Sequence, residues 1–286
     1  MMPNTRRYAA AARFVGGEIY LMGGSDISSH HLVKQVDVYQ PSTGKWRTGP
    51  ECPDPRDFPV VTSSGSNLVF AGGLGADGKA SDRLDLFNYA SQKWTTGSRM
   101  PIAVSRAAGD IWGTYTVMTG GLLTEPVSSV AVQLYHRQTR QWSRGPDMPI
   151  SRHGHTCTAI GDTIYVVGGE CGDAMTTSNS VISLKTGAKT WNTLADLPHA
   201  RAFHATVTYK GKLYVFGNRG PAEHSYRYDP VTNKWSELKC SDIGSHRMAY
   251  AEANGMVYFY GGEGTGSLDR VFDLDRERWD TTQGRS

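Results

Sequence analysis

Adjacent glycines recur along the chain at Gly23-Gly24, Gly72-Gly73, Gly120-Gly121, Gly168-Gly169 and Gly261-Gly262, and a degenerate member, Gly217-Asn218, fills the one gap. Six tryptophans follow in phase: Trp46, Trp94, Trp142, Trp191, Trp235 and Trp279, at steps of 48, 48, 49, 44 and 44 residues. Seven positions before each Trp stands Tyr39, Phe87, Tyr135, Leu184, Tyr228 or Phe272, and an arginine heads every repeat: Arg7, Arg56, Arg106, Arg152, Arg201 and Arg247. Four markers kept in step six times dictate an array of like structural units. No unit of this size covers its own apolar faces, so each depends on its neighbours.

Within a repeat the pattern is that of strands. Arg247–Ala253 is predicted as an alternating strand, Asn254-Gly255 as a type I′ hairpin, and Met256–Tyr260 as a second strand. Lys210-Gly211 and Gly161-Asp162 mark the same hairpin in two other repeats. A third strand ends near Tyr228, Asp229-Pro230 turns the chain, and a fourth carries Trp235. The glycine pair supplies positive φ and lets backbone approach side chains closely. Asn218 tolerates the left-handed region, so its turn is expected to survive. Leu184 in place of an aromatic predicts looser packing in the fourth repeat. From the second glycine-pair residue to the following aromatic the spacing is 15, 14, 14, 15, 10 and 10 residues, which predicts a lower rim on one side.

The order Arg, apolar strand, Gly-Gly, Tyr, Trp resembles the kelch repeat, and the resemblance covers nearly the whole chain. It implies an all-β fold, a six-bladed kelch-type β-propeller with four antiparallel strands per blade. Residues 1–286 read as a single propeller, with blades at about 5–50, 54–99, 104–147, 151–196, 200–239 and 246–281 and with no BTB or BACK domain. Each repeat carries its four strands contiguously, so blade six is expected to meet blade one through side-chain packing without a shared sheet.

Composition narrows the function. The net charge is +3 and Lys and Arg are scattered, which argues against nucleic acid as partner. No apolar run approaches 18 residues, and the start lacks a signal-peptide core, so neither a membrane span nor export is expected. Cys52, Cys157, Cys171 and Cys240 form no CxxC pair and no Asn-x-Ser/Thr sequon occurs, which fits reduced thiols in the cytoplasm.

The chain carries no G-x-S-x-G elbow, Walker loop or HExxH helix. The Glu-x3-Asp-x3-His run of iron-dependent kelch specifier proteins is missing too. His153 and His155 would share a strand face, as some metal ligands do, but His155 and His204 occupy equivalent blade positions and read as structural. The expectation is therefore a non-enzyme without metal or cofactor. By resemblance to kelch substrate adaptors, the residues heading the first strands face a pocket: Arg7, Tyr8, Arg56, Arg106, Arg152, His153, Arg201, Phe203, Arg247 and Met248. Ser25–His31, Leu74–Lys79, Leu122–Pro126, Glu170–Thr176, Arg219–Glu223 and Glu263–Gly266 form its rim.

Convergent arginines favour an acidic peptide, although about half of them are expected to pair with acids inside blade junctions. The resemblance thus implies a protein-binding module, as in substrate recognition for a cullin-type ubiquitin ligase. The alternatives are a carbohydrate-active or isomerase propeller, which a pocket lined by His153 and Glu170 would support, and an actin-binding protein. Trp112, the one tryptophan out of phase, either caps a hairpin or contacts a partner.

Overall fold

The computed structural model describes residues 7–172, 174–219, 224–241, 243–264 and 269–280. All regular structure among them is β, in six four-stranded antiparallel sheets plus short ladders. The chain forms two compact units, residues 58–202 and residues 1–57 with 203–286.

The second of these units holds three blades. Blade one runs Ala11–Val15, Glu18–Met22, Asp37–Gln40, Lys45–Thr48; blade five Ala205–Tyr209, Lys212–Phe216, His224–Asp229, Lys234–Ser241; blade six Ala249–Ala253, Met256–Tyr260, Arg270–Asp273, Arg278–Trp279. The unit of residues 58–202 holds blade two (Val60–Ser64, Asn67–Ala71, Leu84–Asn88, Lys93–Thr96), blade three (Ala108–Trp112, Tyr115–Thr119, Val132–His136, Gln141–Arg144) and blade four (Thr156–Ile160, Thr163–Val167, Val181–Lys185, Asn192–Thr193). In every blade the strands pair in chain order, as a meander must.

The spacing of seven has a direct structural cause. Tyr39 lies opposite Trp46 across a strand pair, as do Phe87 and Trp94, Tyr135 and Trp142, Tyr228 and Trp235, Phe272 and Trp279. Their ring centroids are 4.9–5.1 Å apart. Each such pair contributes about 0.5–1.5 kcal/mol beyond its buried area. Blade four has Leu184 there and its fourth strand shrinks to Asn192–Thr193.

Apolar clusters sit between neighbouring blades of a unit. Ile19, Leu21 and Tyr39 of blade one meet Ala249, Ala251, Tyr258 and Tyr260 of blade six, while Phe216 of blade five packs on Phe259, Phe272 and Trp279 of blade six. Blades one and six keep separate sheets, but backbone also joins them: Gly262 N–H donates to the Arg7 carbonyl and Ala9 N–H to the Arg247 carbonyl, both at 2.8 Å. Trp112 is buried and its indole N–H donates to the Asp162 carbonyl at 2.8 Å, so it caps the hairpin and ties blade three to blade four.

The second glycine-pair position explains why a Cβ is excluded. At Gly121, φ is +96° and an added Cβ would lie 2.7 Å from the Ser105 carbonyl oxygen. Its N–H donates to the Arg152 carbonyl, and the same bond recurs from Gly24, Gly73, Gly169, Asn218 and Gly262 to Arg56, Val104, Arg201, Ser245 and Arg7. The glycine turn is thus a backbone clasp onto the head of another repeat.

First strands begin later than the sequence suggested: Ala249, not Arg247, opens that of blade six. The residue two before each first strand turns into the left-handed region, at Ala9, Phe58, Arg106, Gly154, Phe203 and Arg247. The shortened loops of the last two repeats include 220–223 and 265–268, so the expected lowering of the rim falls partly outside the described residues.

Candidate functional site

That turn divides the six repeat arginines into two kinds. Arg7, Arg56, Arg152 and Arg201 stand four residues ahead of their first strands and are all buried. Arg106 and Arg247 stand two ahead, at the left-handed residue, and reach solvent; Val104 and Ser245 fill the buried position in their repeats. The six repeat arginines thus differ in register, four buried and two half-buried, where about half were expected to be structural.

The buried ones are held as structural groups. Arg7 donates to Asp37 at 2.6 Å with both side chains at most 1% exposed. Burial pulls the Arg7 guanidinium down from its ordinary value while the Asp37 charge pushes it back up. Arg152 donates to the Gly168 carbonyl at 2.9 Å and to Ser180 Oγ at 3.1 Å, and burial lowers it as well. Arg56 reaches Asp54 at 2.9 Å.

His153, Phe203 and Met248 of the anticipated set are also buried. His153 lies 2.9 Å from Ser128 Oγ through Nδ1 and 2.9 Å from Glu170 Oε2 through Nε2. The three side chains are all buried, and they brace the short ladder that pairs Arg152–His153 with Glu170–Cys171.

Tyr8, Arg106 and Arg247 remain accessible, each half-buried. In the unit of residues 58–202, the Arg106 guanidinium sits 5.3 Å from the Phe58 ring centroid and pairs with Glu125 at 2.7 Å. In the other unit, Arg247 sits 5.1 Å from the Phe203 ring centroid and pairs with Glu263 at 3.2 Å. Corresponding positions of repeats two and three and of repeats five and six thus supply a phenylalanine from one blade and an arginine from the next, and each arginine meets a glutamate that follows its blade's second strand, at different distances from the glycine pair.

Around the second cluster stand further polar groups. Arg219 lies 5.8 Å from the Phe203 ring, and His246 Nε2 is 3.2 Å from Glu263. Burial is the main cause that lowers the His246 imidazole from its usual value; Arg247 and Arg219 push the same way, against Glu263. Tyr8 Oη lies 3.4 Å from His30 Nδ1, and Ser25 Oγ donates to Asp57 at 2.8 Å. Burial and then the Asp57 charge raise the Tyr8 phenol. Phe58 was not singled out from the sequence, whereas Glu125 and Glu263 lie in the rim segments Leu122–Pro126 and Glu263–Gly266.

Among the described residues no group of three or more His, Cys, Asp or Glu side chains is placed to hold a metal ion. No helix among them is long and apolar enough to cross a membrane. All four cysteines are free thiols.

Six meander sheets, clasped by glycine turns onto the heads of other repeats and carrying paired aromatics, define a kelch-type blade architecture. Comparison with known proteins places the chain accordingly. Residues 106–285 match the KLHDC2/KLHL20/DRC7 Kelch-repeats domain and residues 6–53 match the Kelch motif, and the chain belongs to the kelch-repeat family. It is similar to Kelch repeat and BTB domain-containing protein 12 of Danio rerio, 31% identical over 42% of this chain and 21% of that protein. Kelch-like protein 23 of Homo sapiens is 30% identical over 44% of this chain and 23% of its own length. N-(sulfonatooxy)prop-2-enimidothioate sulfolyase of Thlaspi arvense is 31% identical over 41% of this chain and 37% of its length. The matches therefore span about a fifth to a third of these relatives.

Proposed function

We propose that this chain is a protein-binding module that recognises acidic peptide segments at half-exposed arginines, Arg106 in one unit and Arg247 in the other, each cluster a contact site by itself, as the substrate-reading part of an adaptor of the BTB–kelch kind. The observation that carries the reading is the Phe–Arg–Glu arrangement built twice, at Phe58/Arg106/Glu125 and Phe203/Arg247/Glu263. A guanidinium set over an aromatic ring keeps its planar fork oriented and offers bidentate pairing to a carboxylate. The in-chain glutamate satisfies the cation until a partner's carboxylate shares or replaces it. Tyr8 and Arg219 extend the second cluster as contact groups of the type interfaces favour.

The reading is of binding and not catalysis. The Ser128–His153–Glu170 chain has the residue types of a hydrolytic triad, but its burial suits a structural brace better. Four unpaired thiols fit a reducing compartment such as the cytoplasm.

The test uses immobilised peptides differing only in acidic content, followed by titration calorimetry on the best binder. Arg106→Glu and Arg247→Glu are expected to weaken binding at least roughly tenfold, with unfolding midpoints close to that of the parent. Unchanged affinity in both folded variants would sink the proposal. Charge reversal at Arg152 or Arg201 could not serve, because those side chains are buried.

A further inference from the structure

The unit of residues 58–202 carries a second polar site, built from turns that join the first to the second and the third to the fourth strands. A cavity of about 350 Å³ opens there, lined by the hairpin of blade two (Ser64, Ser66, Asn67) and by Thr114, Tyr135, Arg137 and Arg140 of blade three. That volume lies within the range of small-molecule sites. None of its lining residues is acidic, whereas two are arginines and three carry aliphatic hydroxyls.

The cations of the lining point to a ligand. Arg137 donates one guanidinium N–H to the Gly113 carbonyl and pairs with no carboxylate of the described residues. Arg140 stands exposed at φ +59°, where blade one places Gly44, and its guanidinium pairs with no carboxylate of the described residues. Its charge is nevertheless felt at the cavity wall, since it offsets part of the rise that burial imposes on the Tyr135 phenol. Elsewhere in the fold, arginines are answered by Asp37, Asp54, Glu125 and Glu263.

We infer that this cavity binds a small phosphate monoester of a polyol, such as a phosphorylated sugar. Arg137 and Arg140 hold the phosphate oxygens, the chemistry for which the guanidinium fork is suited. Ser64, Ser66, Asn67 and Thr114 offer donors and acceptors to the polyol hydroxyls. The site shares no residue with the Phe–Arg–Glu clusters and does not depend on the peptide-binding proposal.

The test is calorimetric titration of the full chain with inorganic phosphate, a hexose phosphate and the free hexose. The hexose phosphate is expected to bind at least roughly tenfold more tightly than inorganic phosphate, and the free hexose not to register. Arg140→Gln, an exposed position whose loss leaves the fold intact, is expected to weaken the hexose phosphate at least roughly tenfold. Thr114→Ala should weaken the hexose phosphate and leave inorganic phosphate unchanged. No heat from either phosphate at millimolar concentration, or undiminished binding in Arg140→Gln, would overturn the site. Equal affinity for the two phosphates would overturn the polyol assignment.

Discussion

Removing one carboxylate from each kind of arginine separates scaffold from recognition. Asp37→Ala leaves the Arg7 guanidinium without the anion that sits 2.6 Å away at 0% exposure. Water cannot replace that partner, so the loss is the cost of an uncompensated buried charge, about 3–5 kcal/mol. Glu263→Ala also removes an arginine's carboxylate, but Arg247 and Glu263 are 19% and 29% exposed and 3.2 Å apart. Solvent and salt screen that pair, and its contribution to stability is about 0–1 kcal/mol. Urea titration followed by tryptophan fluorescence reads both variants, since every repeat carries a reporter among Trp46, Trp94, Trp142, Trp191, Trp235 and Trp279. In thermal melts, Asp37→Ala is expected to lower the midpoint by roughly 10 °C and Glu263→Ala by no more than about 2 °C. Equal losses from the two variants would refute the division of the arginines into buried anchors and exchangeable contacts.

Three further outcomes follow from the packing and the titrating groups. Gly121→Ala drives a methyl group to 2.7 Å from the Ser105 carbonyl at φ +96° and is expected to cost about 3 kcal/mol or more, whereas Gly113→Ala, at φ +57° with nothing within 4 Å, should cost about 1–2 kcal/mol in the same titration. Burial, with Asp110 adding to it, pushes the Cys157 thiol up to about 12, so a maleimide at neutral pH should label half-buried Cys171 while sparing Cys157 in the folded protein. Burial likewise raises the Tyr258 phenol to about 12 and holds Tyr260 well above its ordinary 10.0. Both folded values exceed the unfolded one, so their contribution is complete below pH 10 and is lost as pH rises through 12. Unfolding midpoints measured across that window should fall, and less steeply in Tyr258→Phe.

Much of the fold was legible because its determinants are local and repeated. The spacing of seven from aromatic to tryptophan encodes a cross-strand pair, and the glycine pair encodes a positive-φ clasp. Leu184 stands in blade four, whose fourth strand has two residues, but so does that of blade six, which keeps its aromatic Phe272. The site was less legible, because an arginine two residues out of register looks the same to the eye. The signal was nevertheless present. Counting from each arginine to the first residue of the following glycine pair gives 16, 16, 14, 16, 16 and 14 residues, and the two short counts belong to Arg106 and Arg247. At the 14-residue position the order Ala9, Phe58, Arg106, Gly154, Phe203, Arg247 repeats as small, phenylalanine, arginine. What no count could provide was the glutamate. Glu125 and Glu263 come from loops whose path is set by tertiary contacts, not by periodicity.

That register also bears on where the proposed recognition would reside. A partner's carboxylate can engage an arginine only if the cation can be released from its present contacts at small cost. Arg7 cannot be: freeing it from Asp37 strands two charges at sites without water, and the same burial holds Arg56, Arg152 and Arg201 inside their blades. Arg106 and Arg247 can, because their ion pairs are only partly withdrawn from solvent and lie against a ring that keeps the fork oriented during the exchange. The same residue type therefore serves opposite ends in one fold. At the 16-residue position its charge is spent on holding the head of a repeat in place. At the 14-residue position a left-handed turn leaves it half-exposed, where the proposed acidic segment would compete for it.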